Sequence, residues 1–376
     1  MRRLRLAIVG CGSITERGLL PHLMLERDRV EVTSLCDISR PRLKTLAERF
    51  HVRQTFTSLP DMLHDSDEEA IAIATPIQLH YQQALESLLN GRHVYLQKTM
   101  TQTGQEARTL IQIARKHDLL LAASPGQMLL PAYKRAHELV QSGALGTVYA
   151  AIGVNIASGH EREKLRTNSA QPGAALDPSW YYRAGGGPLR DMGVYPFHAI
   201  TGILGRARRV ISFSNRPIPE RHWNGKRIRV EVDDNVVLSL ELEQNRLATI
   251  STAFSANLSI LHWGHLAISG SEGALEVRRL PGRSSSYELV VRRVGEPKAE
   301  TQAFGTGLGE THDALDEAHV ARDLLDFVEA VLNSREPGAS AEHAYHVIEI
   351  IEAAERAAQT ASAVTVLDSR SDAKEV

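Results

Sequence analysis

The stretch GGGPLRDMGVYPFHAI, residues 185–200, sets Asp191, Tyr195 and His198 four and three residues apart behind three consecutive glycines. If the chain enters a helix near Val194, these positions follow i, i+4, i+7 spacing and share one face, with Pro196 tolerated in the first turn. A carboxylate, a phenol and an imidazole gathered on one ligand can orient it and exchange a proton with it. The imidazole has a reference pKa near ~6.5 and the phenol near ~10. The glycines let the backbone turn tightly and pass close to that ligand. The competing reading makes Tyr195 an amphipathic core residue and His198 a hydrogen-bonded partner of Asp191.

A second group lies near the N-terminus. LRLAIVGCGSI is an apolar run suited to a buried parallel strand; it stops at Gly10-Cys11-Gly12 and passes into the helical pattern ERGLLPHLMLER. Glycines at such a turn let the backbone approach a pyrophosphate, while the helix N-terminus supplies N–H groups and partial positive charge. Ser13 and Ile14 open that helix, and Thr15 stands at the third glycine position of G-x-G-x-x-G. The next apolar run, VEVTSLCD, ends in Asp37, where a carboxylate accepts hydrogen bonds from adenosine ribose hydroxyls and disfavours a 2′-phosphate. Arg40 offers a cation to such a phosphate, so the pattern favours NAD and leaves NADP open. Asp37 also fits a helix cap.

These residues need elements to hold them. EEAIAIATP, HYQQALESLLNGR, HVYLQKTM, GQEARTLIQIARKHD and LLLAASPG alternate strand and helix, as a doubly wound parallel sheet does. Ligands of such sheets bind outside the carboxyl ends of the strands, which places Thr75, Pro76, Gln97 and Lys98 at the rim. A lysine at a strand end is, on position alone, an ordinary solvated charge. Beyond that the rhythm changes. RIRVEVDDNVVLSLELEQNRLATISTAFS and HLAISGSEGALEVRR alternate as antiparallel strands with one wet face, and two helical segments follow, ALDEAHVARDLLDFVEAVLNS and AEHAYHVIEIIEAAERAAQ. The pattern predicts an α/β chain with three parts: a dinucleotide-binding domain over 1–125, a substrate-binding and oligomerisation α+β domain over 126–365, and a flexible tail over 366–376.

Composition narrows the function classes. A formal net charge of −2, with basic residues scattered rather than striped, gives no footprint for nucleic acid. No apolar run approaches the ~20 residues of a spanning helix, and the apolar stretch of MRRLRLAIVGCG is shorter than that of a signal peptide, so a cytoplasmic location is expected. Cys11 and Cys36 fall at strand ends and suit packing better than a disulfide. No metal, nucleic-acid or membrane partner is expected.

AIVGCGSI, CDIS, ATPIQLHYQQALESLLNGRHVYLQKTM, LVQSGALGTV, GGGPLRDMGVYPFHAI and ISGSEGALEV occur together and in order, and in this the chain resembles the Gfo/Idh/MocA oxidoreductases nearly end to end. The resemblance implies an N-terminal Rossmann domain and a C-terminal domain on a large open, mainly antiparallel sheet. The family's Glu-Lys-Pro motif falls on Gln97, Lys98 and Thr99, so the lysine is kept while a carboxylate and a proline are lost. The family's lysine points at the reacting hydroxyl, and Lys98 inherits that role. The family's Asp falls on Asp191, its usual histidine four residues later is Tyr195, and His198 stands where many members have Asp or Asn. The cofactor-binding set is then Gly10, Gly12, Ser13, Ile14, Asp37, Arg40, Thr75, Pro76, His80, Gln97 and Lys98.

The chemistry this implies is reversible hydride transfer between a nicotinamide and a secondary alcohol or ketone of a sugar, cyclitol or related polyol. Tyr195 is the first choice to take the hydroxyl proton and His198 the second, with Asp191 orienting them and Lys98 stabilising the developing alkoxide. A unit charge at ~4 Å and an effective dielectric near ~20 is worth roughly 4 kcal/mol, about three pKa units. Trp180 and Arg183, in WYYRAGGG, suit a sugar face and a hydroxyl or carboxylate respectively. Other readings on this scaffold are a glycosidase working by transient oxidation on NAD and a dinucleotide-binding regulator without turnover. A homodimer or homotetramer is expected from the open sheet.

Overall fold

The computed structural model describes residues 2–163, 176–255, 264–280 and 286–366. The chain divides into two compact units, the first comprising Met1–Leu129 with Leu308–Tyr345, the second Leu130–Glu163, Pro178–Gly307 and His346 onward.

The first unit is built on six parallel strands, β1 (Leu4–Val9), β2 (Val30–Cys36), β3 (Gln54–Phe56), β4 (Ala70–Ile73), β5 (His93–Leu96) and β6 (Leu121–Ala123), in the order β3-β2-β1-β4-β5-β6. The order reverses beside β1, which makes the carboxyl end of β1 the switch point of a Rossmann sheet. β1 and β4 are buried on both faces because helices cover each side, and this is why their sequences are continuous apolar runs. One of those covering helices arrives late in the chain. Ala318–Leu332 places Val320, Leu324, Leu325, Phe327, Val328 and Val331 in one core with Leu4, Leu6 and Ile8 of β1. Leu308–Tyr345 therefore groups with the first unit, although the rhythm of the sequence put it with the second. Periodicity shows that a helix has an apolar stripe, not which sheet receives it.

The second unit carries a nine-stranded sheet of β7 (Val148–Ser158), β8 (Ala207–Asn215), β11 (Asn235–Leu242), β12 (Leu247–Ser255), β13 (His265–Gly270), β14 (Gly273–Arg279), β15 (Tyr287–Arg293), β16 (Glu300–Phe304) and β17 (Val364–Thr365), in the order β16-β15-β14-β13-β7-β12-β11-β8-β17. A short separate hairpin, β9 (Glu220–Trp223) and β10 (Lys226–Arg229), sits beside it in the chain. Every pairing in the large sheet is antiparallel except β7 with β12. In β8 and β11 burial alternates, and the wet face exposes Ile211, Phe213 and Val237, joined by Ile152 of β7 and Leu247 of β12. The tail past 366 lies outside the described residues, and among those described no helix is long and apolar enough to cross a membrane.

Candidate active site

In the first unit the glycine turn follows β1. Gly10 has φ +97°, and a Cβ there would lie 2.6 Å from the Ala74 carbonyl oxygen, so the turn admits no other residue without shifting backbone. Gly12 faces open space, with no atom within 4 Å of where its Cβ would be. Ser13 and Ile14 follow half-buried, and the first helical turns, Thr15–Leu19, are π-helical before Leu20–Leu25 continues as an α-helix. Thr15, at the third glycine position, is fully buried and donates its hydroxyl to the Gly10 carbonyl at 2.5 Å. It holds the turn from inside.

Asp37 stands one residue beyond β2. Its carboxylate accepts the Cys11 N–H at 2.7 Å and the Ser39 N–H at 2.7 Å, while the cap of helix Arg40–Phe50 is Ser39. The capping role weighed for Asp37 thus belongs to its neighbour. Arg42, which the sequence did not single out, donates Nε to the Cys11 carbonyl at 3.0 Å, so the Cys11 peptide is gripped on both sides. Arg40 is exposed on the same helix. Cys11 and Cys36 are free and buried, and burial pushes both thiols well up, Cys36 to about 12. The open glycine turn, the acidic residue at the end of β2 and the switch-point topology fit a nicotinamide dinucleotide.

The ends of β4 and β5 are tied together. His80 is fully buried, its Nδ1 2.9 Å from the Thr99 carbonyl oxygen and its Nε2 2.9 Å from that of Thr75. Burial, with the nearby charge of Lys98, lowers its pKa. The imidazole braces the loop that carries Lys98, which is half-buried and joined to Thr99 by a cis peptide bond. Gln97 points inward and donates to the Tyr95 hydroxyl at 2.8 Å, so a neutral internal contact stands at the position of the family's carboxylate. Thr75 donates to the Gln83 side chain at 2.6 Å, and Pro76 precedes helix Ile77–Leu89.

In the second unit, Asp191 closes the short helix Pro188–Asp191, and Tyr195 and His198 lie in helix Val194–Leu204, as the spacing predicts. All three are buried. The glycines before them make a tight turn: Gly187 has φ +88°, and a Cβ on Gly186 would strike the Tyr181 carbonyl. Two buried polar residues of the sheet pin the segment, Asn155 donating to the Met192 carbonyl at 2.8 Å and Thr252 to that of Pro188 at 3.0 Å. His198 donates Nδ1–H to the Val194 carbonyl at 2.8 Å, which leaves Nε2 as its basic nitrogen when neutral.

The partner that sequence reasoning missed is His160. It begins a short 3-10 turn just after β7, with Nε2 2.8 Å from Asp191 Oδ2 and Nδ1 2.6 Å from Glu163 Oε1. Burial would lower its pKa, but the two carboxylates outweigh burial and raise it. With an acceptor at each nitrogen, both N–H groups are used and the ring is an imidazolium. It stacks on Tyr181 at 3.6 Å, and Trp180 stacks on Tyr181 at 3.6 Å in turn. Arg183 beside them is exposed. Beneath the turn Arg221 bonds Glu161 at 2.9 Å and Asp234 at 2.8 Å, and Tyr182 donates to Glu161. The signal available in sequence was a polar run, GHERE, at the end of a long alternating strand.

Fold, glycine turn and strand-end carboxylate together define a two-domain oxidoreductase with an NAD-binding Rossmann domain. The chain belongs to the Gfo/Idh/MocA family: residues 4–124 match the model of the oxidoreductase family with an NAD-binding Rossmann fold, and residues 133–276 match the GFO/IDH/MocA C-terminal domain. It is 25% identical over 338 residues to dTDP-3,4-didehydro-2,6-dideoxy-alpha-D-glucose 3-reductase of Actinomadura kijaniata, covering 89% of each chain. To D-glucoside 3-dehydrogenase of Escherichia coli K12 it is 23% identical over 262 residues, 68% of this chain and 71% of that one. The fold matches that of levoglucosan dehydrogenase in complex with NADH, with a TM-score of 0.81, 17% identity and coverage of 98% of this chain and 100% of the other. The protein is an enzyme of this class, and its cofactor is NAD, with NADP open to it.

Proposed function

We propose that the protein oxidises a secondary hydroxyl of a sugar, cyclitol or related polyol, or reduces the matching ketone. The observation that carries this reading is Lys98, kept at the end of β5 above the His80 brace while the residues on either side of it depart from the family motif. The named activities of the relatives support a sugar, and two of them, a 3-reductase and a 3-dehydrogenase, make the 3-hydroxyl of a pyranose the first position to test.

NAD, when bound, supplies the acceptor for the hydride. The residues of the chain handle the proton and the charge. Tyr195, acting as its phenolate, takes the hydroxyl proton, and the ammonium of Lys98 stabilises the alkoxide as it forms, an interaction that grows along the reaction and so lowers the barrier. Asp191 orients the reacting group. His160 acts through Asp191, fixing that carboxylate by a charge-assisted hydrogen bond of 2.8 Å. Trp180 and Arg183 line the sugar, and His198 is the second candidate for the proton.

The experiment is a panel of glucosides, levoglucosan, aldoses and inositols assayed with NAD and NADP by nicotinamide absorbance. Net reduction of cofactor by at least one of them is expected. Cleavage of a glycoside without net reduction would replace this reading with the transient-oxidation one. Binding of cofactor with no turnover of any alcohol would replace it with the regulator.

A further inference from the structure

Glu16 lies in the first helical turns after the glycines and joins two arginines of the next helix. Its Oε2 is 2.8 Å from Arg42 Nη2 and its Oε1 3.1 Å from Arg49 Nη1. Arg42 is only 8% exposed, and its other end is spent on the Cys11 carbonyl. Turning that guanidinium toward a new anion would break both bonds and leave Glu16 with Arg49 alone. Asp37, on the other side of the Cys11 peptide, uses two acceptor positions on the Cys11 and Ser39 N–H groups. A carboxylate offers about four such positions. The two that remain match the two hydroxyl donors of an adenosine ribose, whereas a 2′-phosphate would replace one donor with an anion.

A Rossmann site that takes the phosphorylated cofactor needs an arginine ready to meet the phosphate. Here Arg42 and Arg49 are both ion-paired to one carboxylate, which offsets half of their charge and holds both guanidiniums in place. We infer that Glu16 is a specificity-determining residue, setting the preference for NAD over NADP by occupying the arginines that would otherwise answer a 2′-phosphate. Arg40, exposed on the first turn of the same helix, is the route by which residual NADP binding runs. The inference concerns the dinucleotide and is independent of which alcohol the enzyme oxidises.

The test is titration of the full-length protein with NADH and with NADPH, followed by nicotinamide fluorescence. The native protein binds NADH more tightly. Glu16→Gln keeps an acceptor for Arg42 and removes the charge, so NADPH binding tightens by roughly tenfold while NADH changes little. Arg49→Ala added to that variant takes back part of the gain. In the native background Arg49→Ala leaves both affinities unchanged, a reading that stands even if Glu16→Gln lowers the melting temperature. Native protein that prefers NADPH, a Glu16→Gln change that moves both cofactors equally or neither, or loss of NADPH binding in Arg49→Ala alone would overturn the inference. Native protein that binds neither dinucleotide would remove the cofactor it rests on, and would do so without any substrate being tested.

Discussion

His160 and Asp191 lie 31 residues apart in the chain and meet through Nε2 and Oδ2 at 2.8 Å. The pair is more than an internal ion pair, because the other nitrogen of the imidazole is held by Glu163 at 2.6 Å and its face by the ring of Tyr181. A cation fixed on three sides fixes the carboxylate it faces. Asp191 is 1% exposed, and an ionised carboxylate that deeply buried is costly unless a partner charge stays with it.

This gives His160 a pH signature. Its folded-state pKa is raised above the unfolded value of ~6.5, so the stability it contributes is complete below that pH and is lost as pH climbs through the raised value. Melting temperatures measured from acid to alkaline pH should fall on the alkaline side in native protein, and that component should vanish in His160→Gln. If the reading of Asp191 as an orienting group is right, His160→Gln also lowers kcat by roughly 10–100-fold and shifts the pH profile. A variant with native kcat and profile would make His160 purely structural.

Asp323 offers the same logic in the first unit. It is 2% exposed in helix Ala318–Leu332, where burial pushes its carboxyl up to about 7 although the Ser124 hydroxyl donates to it at 2.8 Å and Arg322 lowers it. Between ~4 and that value the folded state keeps a proton the unfolded chain has lost, so stability falls as pH rises across this window. Asp323→Asn should flatten the melting temperature over that range. An unchanged slope would place the titration elsewhere.

The first unit was largely legible in sequence because its signals are local. A buried parallel strand reads as an apolar run, and Gly10 announces a turn that a Cβ would block. The helix that carries Tyr195 and His198 was equally local in its signal, while Asp191 lies in the short helix before it. His160 was not legible, since it reaches Asp191 from the turn after β7 and only tertiary pairing brings them together. The same holds for Arg42 and Glu16, two ordinary surface charges until the fold sets both on the glycine turn. The helix Ala318–Leu332 shows the limit from the other side: its apolar stripe was plain, but the sheet it covers was not.

Asp37→Ala should weaken NAD more than NADP, because only the former loses hydroxyl contacts without relief from repulsion. Calorimetry with both cofactors checks it. Equal losses would mean that Asp37 serves only the Cys11 and Ser39 backbone.

The wet face of the nine-stranded sheet exposes Phe213 at 70%, Leu247 at 58% and Ile152 at 52%. Apolar side chains gathered on one open sheet favour association. Light scattering should give at least twice the chain mass of 41.4 kDa, and Phe213→Lys should lower it. A mass equal to one chain at working concentration would contradict the expected homo-oligomer.

If Lys98 and Tyr195 act on the hydroxyl in the chemical step, kcat of Lys98→Ala and Tyr195→Phe on one active sugar, taken with NADH affinity and melting temperature, separates that role from a structural one. In each variant kcat should fall by roughly two to four orders of magnitude at near-native cofactor binding, because both interactions strengthen only as the alkoxide forms. Full turnover in both variants at unchanged melting temperature would contradict it.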